Sequence, residues 1–500
     1  MKRTHIYSLL AALLLVASSC TDDTALLSSL PSHKGEVIWP DYANTVIPCN
    51  IAPLDFNILS PSLSNATISV SGEQVSLKVK ARKGVVSFPE KKWHHLLAVE
   101  KGHTLNVQIG NAFTFKLQVS DDPIDSHLVY RLIEPGYEIW SHMGIYERNL
   151  STFSEKALLE NTQFNGCVNC HSFNHCRPDS FSLHIRGDHG ATLLRLDGKM
   201  DAYNTKTDST LGFCVYPYWH PSGRYIAYST NTTRQGFHVL PDKLIEVFDL
   251  ASDLQVYDTE RNELITSPLV KSDTVWETFP AFSPDGRTLY YCAAHAQDIP
   301  SGIPSIRYNL CSIPFDASSG TFGHQADTLI QAQAEQQSIS FPKPSYDGRW
   351  LMYTQGQYGQ FSIWHHEADL WLLNLQTGER RALGTPSTPS PLGETVNSED
   401  TESYHNWSSN SRWFVFSSRR DDGLHTRLYL CHIDGEGVCG KPFLLPQRNP
   451  LQYYQNQFRS YNVPDFATAP VNLDRRKAER LINSPKRRPF GFRWSAEDKE

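Results

Sequence analysis

Methionine is scarce in this 500-residue sequence, and the motifs of several enzyme classes are missing. Only four methionines occur. There is no G-x-S-x-G nucleophile elbow, which argues against an appended hydrolase, and no P-loop or H-E-x-x-H zinc motif. Acidic residues are scattered over predicted turns, where Asp commonly serves turn geometry. These absences favour a carrier or binding protein over an enzyme, and no catalytic residue is assigned.

Long apolar runs and blocks of like charge are also missing after the first twenty residues. No later segment reaches the ~20 continuous apolar residues that a membrane helix needs. The net charge of −7 is mild and spread along the chain, so nucleic acid is not expected as a partner. The one basic run, within residues 475–488, is interpreted as a solvated helical tail.

The first twenty residues have the form of an export signal. Lys2 and Arg3 precede an apolar stretch over residues 6–16, and small residues at 17–19 come before Cys20. This pattern predicts a signal peptide over residues 1–19, with an apolar core too short to span a bilayer. The segment resembles the lipobox of bacterial lipoproteins, which implies that Cys20 is lipidated and that residues 20–35 form a linker. The acidic pair at 22–23 resembles the surface-export signal of Bacteroidetes lipoproteins. The resemblance implies a lipid-anchored protein of the outer membrane, in the periplasm or exposed at the surface.

Residues 36–122 are predicted to form a separate domain, since 500 residues exceed what one core organises. Ile68 and Val70 alternate with polar neighbours, as do Leu105, Val107 and Ile109. Such alternation in short runs indicates half-buried antiparallel strands. The expected result is an immunoglobulin-like β-sandwich that serves as a spacer or docking unit.

An internal repeat dominates the remainder of the chain. Its copies are YPYWHPSGR at 216–224, FPAFSPDGR at 279–287, FPKPSYDGR at 341–349 and YHNWSSNSR at 404–412. The turn residues Gly223, Gly286, Gly348 and Ser411 recur every 62 or 63 positions, each before a strongly β-prone strand. One such sheet cannot bury both faces alone, so the units are expected to pack radially.

The Ser-Pro-Asp-Gly-Arg turn before an aromatic strand resembles the repeat of TolB-type β-propellers. The resemblance implies an all-β fold with a propeller over residues 123–460, of about six blades, and a C-terminal tail over 461–500. A weaker copy is expected to begin at Phe173, with its turn at Ser180. Segments 128–161 and 455–466 are expected to supply another blade or the closing strand.

One motif has a definite chemical meaning, Cys167-Val168-Asn169-Cys170-His171. Two cysteines three apart can each form a thioether to one haem vinyl group, and the next histidine can coordinate the iron. This spacing is the attachment signature of c-type haem, which is joined to protein outside the cytoplasm, in agreement with the export signal. The prediction is one covalent haem c on segment 164–176, on a loop entering the first blade.

Other interpretations of the motif stay open. A redox-active or structural disulfide is one, although no βαβ pattern surrounds the pair and so short a ring is strained. Zinc is another, with His175 and Cys176 as further ligands. The candidates for the sixth iron ligand are Met143 and His184. Of the seven cysteines left after Cys20 and the motif pair, an odd number, at least one is expected to stay free.

The whole resembles Bacteroidetes lipoproteins that combine TolB-like repeats with a CxxCH segment. The resemblance implies an envelope-anchored haem protein acting in electron transfer or as a redox partner. The alternative is a propeller binding module for a peptide, glycan or protein, acting as an accessory subunit of an envelope complex. The membrane is contacted only through the lipid anchor.

Overall fold

The computed structural model describes residues 36–135, 141–164, 166–238 and 244–495. The predicted signal peptide, the lipidation at Cys20 and the linker lie outside these ranges. Within them, no helix is both long and apolar enough to cross a bilayer.

Residues 36–120 contain two sheets and one helix, α1 (Glu90–Val99). The predicted alternating segments are strands there, so this part of the prediction is confirmed. The helix was not anticipated, and it buries Trp93, Leu96 and Leu97 at the i, i+3, i+4 spacing of a helical stripe. One sheet contains β1 (Ile38–Trp39), β3 (Phe56–Ile58) and β6 (Val85–Val86), and the other β2 (Thr45–Pro48), β4 (Thr67–Ser71), β5 (Ser76–Lys80), β7 (Thr104–Ile109) and β8 (Phe113–Ser120).

Six further sheets follow in chain order. Sheet 1 contains β9 (His127–Ile133), β10 (Gly144–Asn149), β11 (Glu155–Glu160) and β33 (Ser460–Ala467). Sheet 2 contains β12 (Gly166–Asn174), β13 (Arg177–Gly187), β14 (Ala191–Leu196), β15 (Lys199–Asn204) and β34 (Arg488–Pro489). Sheet 3 contains β16 (Cys214–Trp219), β17 (Tyr225–Phe237), β18 (Ile245–Asp258), β19 (Glu263–Thr266) and β35 (Gly491–Trp494).

Sheets 4 to 6 come from the later repeats. Sheet 4 contains β20 (Val275–Phe282), β21 (Thr288–His295), β22 (Asn309–Asp316), β23 (Thr321–Phe322) and β24 (Asp327–Ile330). Sheet 5 contains β25 (Ser338–Pro344), β26 (Trp350–Gly356), β27 (Asp369–Asn374) and β28 (Arg380–Ala382). Sheet 6 contains β29 (Glu402–Trp407), β30 (Trp413–Ser418), β31 (Arg427–His432) and β32 (Phe443–Leu444).

One edge strand from each of the six sheets takes part in a closed ring. β12, β16, β20, β25 and β29 each contact the next, and β33 contacts both β29 and β12. Closed radial packing of small antiparallel sheets is the architecture of a β-propeller. The all-β class and the propeller architecture predicted from the repeat are therefore confirmed.

The repeated turns have the predicted conformation. Gly223, Gly286 and Gly348 have φ of 75°, 74° and 73°, and Ser411 has φ of 57°. Each donates its backbone N–H to the carbonyl three residues earlier, as in Gly286 N to Ser283 O at 2.9 Å. Asp/Asn-Gly turns supply this left-handed backbone at low steric cost, which is why the repeat could be aligned on them.

The predicted turn at Ser180 is wrong, because Ser180 lies inside β13. The β12–β13 hairpin instead turns at His175 and Cys176, between paired Asn174 and Arg177. Both turn residues have positive φ, 48° and 57°, as a two-residue type I′ turn requires. A His-Cys pair lacks the usual Asn-Gly signal, so the sequence did not reveal this turn.

The last described segments lie against the outer strands of sheets 2 and 3. Two more helices occur in this part of the chain, α2 (Pro450–Gln455) and α3 (Arg475–Asn483). The helix α3 begins with an Asp474 side-chain cap on the Lys477 N–H and buries Ala478 and Ile482, so the basic run is exposed on one face only. Segments β34 and β35 then add parallel to the outer strands β15 and β19. Five short 3₁₀ turns complete the described structure, Pro61–Leu63, Asn161–Gln163, Ile303–Ser305, Ala332–Glu335 and Ser362–Trp364.

Candidate functional site: the central cavity

The inner strands share a β-bulge that places one residue from each sheet at the centre of the ring. The register shifts at the same point in all six innermost strands, for example between Asn169 and Ser172 in β12. The residue within each bulge has positive φ, between 49° and 54°. Bulges re-aim side chains and are frequent next to functional sites. We call these six residues the collar: Cys170, Tyr216, Phe279, Phe341, Tyr404 and Val463.

The collar lines a cavity of about 270 Å³ at the centre of the ring. Four collar members are aromatic and touch in order, with ring centroids 4.6 Å apart for Tyr216 and Phe279, 4.2 Å for Phe279 and Phe341, and 5.0 Å for Phe341 and Tyr404. Val463 and Cys170 occupy the other two positions. The cavity wall is therefore apolar and aromatic over most of the collar, with a thiol in the sixth position.

The three chemically active residues of the CxxCH motif all line this cavity. They lie on strand β12, so the predicted loop location is wrong. Cys167 pairs opposite Arg186 of β13, whereas Cys170 and His171 fall within the bulge. Side chains three apart on a regular strand point to opposite faces. The bulge between Asn169 and Ser172 removes this conflict. Cys167 and Cys170 are free thiols with 6% and 5% exposure.

His171 is buried beside the collar, and its Nδ1 has no hydrogen-bond partner in the described chain. Its Nε2 lies 3.4 Å from the carbonyl oxygen of Val129. Burial lowers the pKa of His171 to about 4, so its ring is neutral at physiological pH. A buried imidazole with a free nitrogen can accept a metal ion or a hydrogen-bond donor.

Neither predicted sixth ligand lines the cavity. Met143 is fully buried next to β10, where its backbone N–H donates to Asn161 Oδ1 at 3.0 Å. His184 lies on β13, with Nδ1 3.0 Å from Thr192 Oγ1 and its ring against Phe213.

His405 is the cavity histidine that sequence reasoning missed. It lines the cavity on β29, its Nε2 contacts the Met352 carbonyl at 3.0 Å, and its Nδ1 has no described partner. Burial lowers the pKa of His405 to about 3. A signal for it existed: aligning the repeats on Cys170 rather than Phe173 puts His171 and His405 where the other copies have proline, as in Tyr216-Pro217.

The cavity also carries more positive than negative side chains. Its cationic members are Arg131, Arg186, Lys343 and Arg419, and its carboxylates are Glu134 and Asp465. Asp465 accepts from the Phe173 N–H and from Asn406 Nδ2, both at 2.9 Å. Burial raises the pKa of Asp465 to about 7. Arg131, Arg186 and Lys343 lie on strand positions that alternation alone does not mark as inward, and Arg419 directly follows β30, so the sequence did not reveal them.

The remaining cysteines lie away from the cavity. Cys176 contacts the Tyr346 hydroxyl at 3.5 Å, and His175 lies against the same ring, so these two residues are separate from the motif pair. Among the described residues, no group of three or more His, Cys, Asp or Glu side chains is arranged to hold a metal ion. All nine described cysteines are free thiols.

Comparison with known proteins gives fold-level likeness only. No family model matches the chain, and no curated protein matches it. Among solved structures, TolB from Acinetobacter baumannii is similar at 11% identity over 76% of this chain and 85% of that one, with a TM-score of 0.40. A hypothetical selenium-binding protein from Sulfolobus tokodaii is 8% identical over 71% and 96%, with a TM-score of 0.38. An oligogalacturonate lyase from Vibrio parahaemolyticus is 13% identical over 59% and 84%, with a TM-score of 0.33.

Proposed function

We propose that this chain is a c-type haem protein of the cell envelope that carries electrons or serves as a redox partner. One haem would be attached through Cys167 and Cys170, with His171 as an iron ligand. The observation that carries the proposal is that all three side chains line one central cavity, which an unbroken strand would not allow. When bound, haem supplies one-electron chemistry between ferric and ferrous iron.

The residues of the cavity fit such a group in three further respects. The unpartnered Nδ1 of His171 leaves a buried nitrogen free. The aromatic collar members Tyr216, Phe279, Phe341 and Tyr404 offer an apolar surface of mutually inclined rings beside Cys170. The strands hold these side chains on a rigid ring, which suits a site that must not reorganise on electron transfer.

His405 becomes our first candidate for a second residue that would bind the haem iron, ahead of Met143 and His184. It lines the cavity with a free Nδ1, whereas the other two do not line it. Two histidine ligands would give a lower reduction potential than a histidine and a methionine.

The envelope location is proposed from the N-terminal sequence. Cys20 would carry the lipid and residues 20–35 would tether the mature chain to the outer membrane. Each of the six sheets would be one propeller blade, and residues 36–122 an immunoglobulin-like sandwich elaborated by α1. The partners would be envelope redox proteins or other proteins, and not nucleic acid.

Haem staining of a denaturing gel tests the attachment. The protein is exported from a host with a working cytochrome-maturation system, and Cys167→Ala with Cys170→Ala is compared with Cys176→Ala. We expect the stain to vanish in the double variant and to persist in the control, because Cys176 lies away from the cavity. Stain that survives the loss of both motif cysteines contradicts the attachment.

A second candidate is a propeller binding module without a redox role. The aromatic and cationic lining of the cavity favours it, since a few polar groups in an apolar pocket are typical of small-molecule sites. A protein that is folded but colourless after maturation would support this function.

A further inference from the structure

Three arginines of the central cavity have no carboxylate partner in the described chain. One of them, Arg419, instead donates to the carbonyls of Ile363 and Gly423, which leaves the other two. Arg131, on β9, is buried at 8% exposure, and its Nε has no hydrogen-bond partner. Arg186, on β13, is half-buried. Burial lowers the pKa of its guanidinium group, but Cys170, Tyr216 and Cys167 raise it electrostatically, and the pKa is raised overall. The two cavity carboxylates are not their partners: Asp465 is bound by Phe173 and Asn406, and Glu134 accepts from Ser141 Oγ at 2.7 Å.

Two largely buried arginines outside the cavity do have carboxylate partners. Arg381 pairs with Glu394 at 3.0 Å, and Arg420 with Glu402 at 2.9 Å. A cation withdrawn from water is costly unless it is paired. Arg131 and Arg186 therefore have the surroundings of side chains whose anion comes from outside the chain.

Both guanidinium groups lie around the first cysteine of the motif. Arg186 is directly opposite Cys167 in the β12–β13 register. Arg131 comes from β9 of the neighbouring sheet and lines the same cavity. Each lowers the pKa of the Cys167 thiol electrostatically, although burial, the larger effect, raises it. The two cations thus flank one point of the cavity wall.

We infer that Arg131 and Arg186 form a carboxylate-binding pair in the central cavity. Arginine suits this ligand because its planar fork of donors matches the two oxygens of a carboxylate. If the proposed haem is present, on which this identification rests, the ligand is a haem propionate. If it is absent, the same pair serves a free carboxylate.

The test compares haemin with its dimethyl ester, in which both carboxylates are blocked. The full-length mature chain carrying Cys167→Ser and Cys170→Ser is titrated with each, which avoids covalent attachment. The titrations are repeated with two further variants of this protein. One also carries Arg131→Gln and Arg186→Gln, and the other carries Arg459→Gln instead. Arg459 bonds the Tyr146 hydroxyl at 2.7 Å outside the cavity, so it controls for the loss of an arginine elsewhere in the chain. Succinate is titrated against the same proteins and against the chain with its native cysteines, by thermal shift.

We expect haemin to bind at least tenfold more tightly than its diester, since charge-assisted hydrogen bonds to a carboxylate contribute about that much. The preference should disappear in the arginine double variant and persist in Arg459→Gln. A matured native protein that is colourless, and that succinate stabilises while it does not stabilise the arginine variant, would contradict the haem proposal. That result would support Arg131 and Arg186 as a binding site for a free carboxylate. If haemin and its diester bind equally and succinate does not raise the melting temperature, Arg131 and Arg186 do not bind a carboxylate. This conclusion would hold even if haem is covalently attached to the native protein.

Discussion

Glu277 is a buried carboxyl group close to the collar in the sequence. It lies on β20, two residues before the collar residue Phe279, with 3% exposure and an Oε2 that has no described partner. Burial, and then the neighbouring Asp253, raise the pKa of Glu277 to about 9. The folded protein therefore keeps a proton at neutral pH that the unfolded chain releases above about pH 4.5.

Glu277→Gln is expected to stabilise the protein increasingly as pH rises. Because the folded pKa is above the unfolded one, the wild type loses stability between pH 4.5 and 9, and the neutral glutamine removes this loss. The variant should match the wild type at pH 4.5 and exceed its free energy of unfolding by roughly 2 kcal/mol or more at pH 7.5. Urea unfolding across this range measures it. A difference that does not change with pH would show that Glu277 is ionised when folded.

Among the structural elements, the repeated turns show how one conformation meets different surroundings. Gly286 and Gly348 have nearly the same positive φ, 74° and 73°. A Cβ on Gly286 would lie 2.1 Å from His220 Nε2, whereas one on Gly348 would meet nothing within 4 Å. The His220 ring cannot easily move, because it is held by Ser222 Oγ at 2.8 Å and by the Gly286 carbonyl at 3.1 Å.

Gly286→Ala and Gly348→Ala form a matched pair of substitutions. Gly348→Ala should cost about 1 kcal/mol, the strain of a left-handed backbone on an L-residue. Gly286→Ala adds displacement of a packed ring and should cost roughly 3 kcal/mol or more. Chemical denaturation of both variants gives the two costs, and equal costs would contradict the described position of His220.

The same elements explain what could be predicted from the sequence. Copies with a Gly or Ser turn aligned correctly, and alternating apolar residues such as Val107 and Ile109 marked real strands. The first copy was misaligned because its turn is His175-Cys176 and its collar residue is Cys170 rather than an aromatic. A bulge also breaks the two-residue period, so alternation could not show that Cys167 and Cys170 face one cavity.

At the scale of the whole molecule, one strand closes the propeller. Strand β33 pairs with β9, which lies more than 300 residues earlier in the chain. Asp465 on this strand accepts one hydrogen bond from β12 and one from β29. The ring is thus closed by non-covalent contacts between its first and last sheets.

Truncation tests this closure. A chain ending at residue 459 lacks β33 and should lose its cooperative unfolding transition, because sheet 1 is left with an open edge and the cavity wall with a gap. A chain ending at residue 473 keeps β33 and should retain one transition at a lower midpoint, since it loses only α3 and the outer segments. Calorimetry distinguishes them, and a cooperative transition in the shorter chain would contradict closure by β33.

The pyridine haemochrome spectrum of the mature protein, purified from a host that matures c-type cytochromes, tests the central claim most directly. We predict one haem per chain, with the band position of a haem whose two vinyl groups have become thioethers. A correctly folded and exported protein that is colourless, or whose haem is extracted by acidic acetone, would contradict the account.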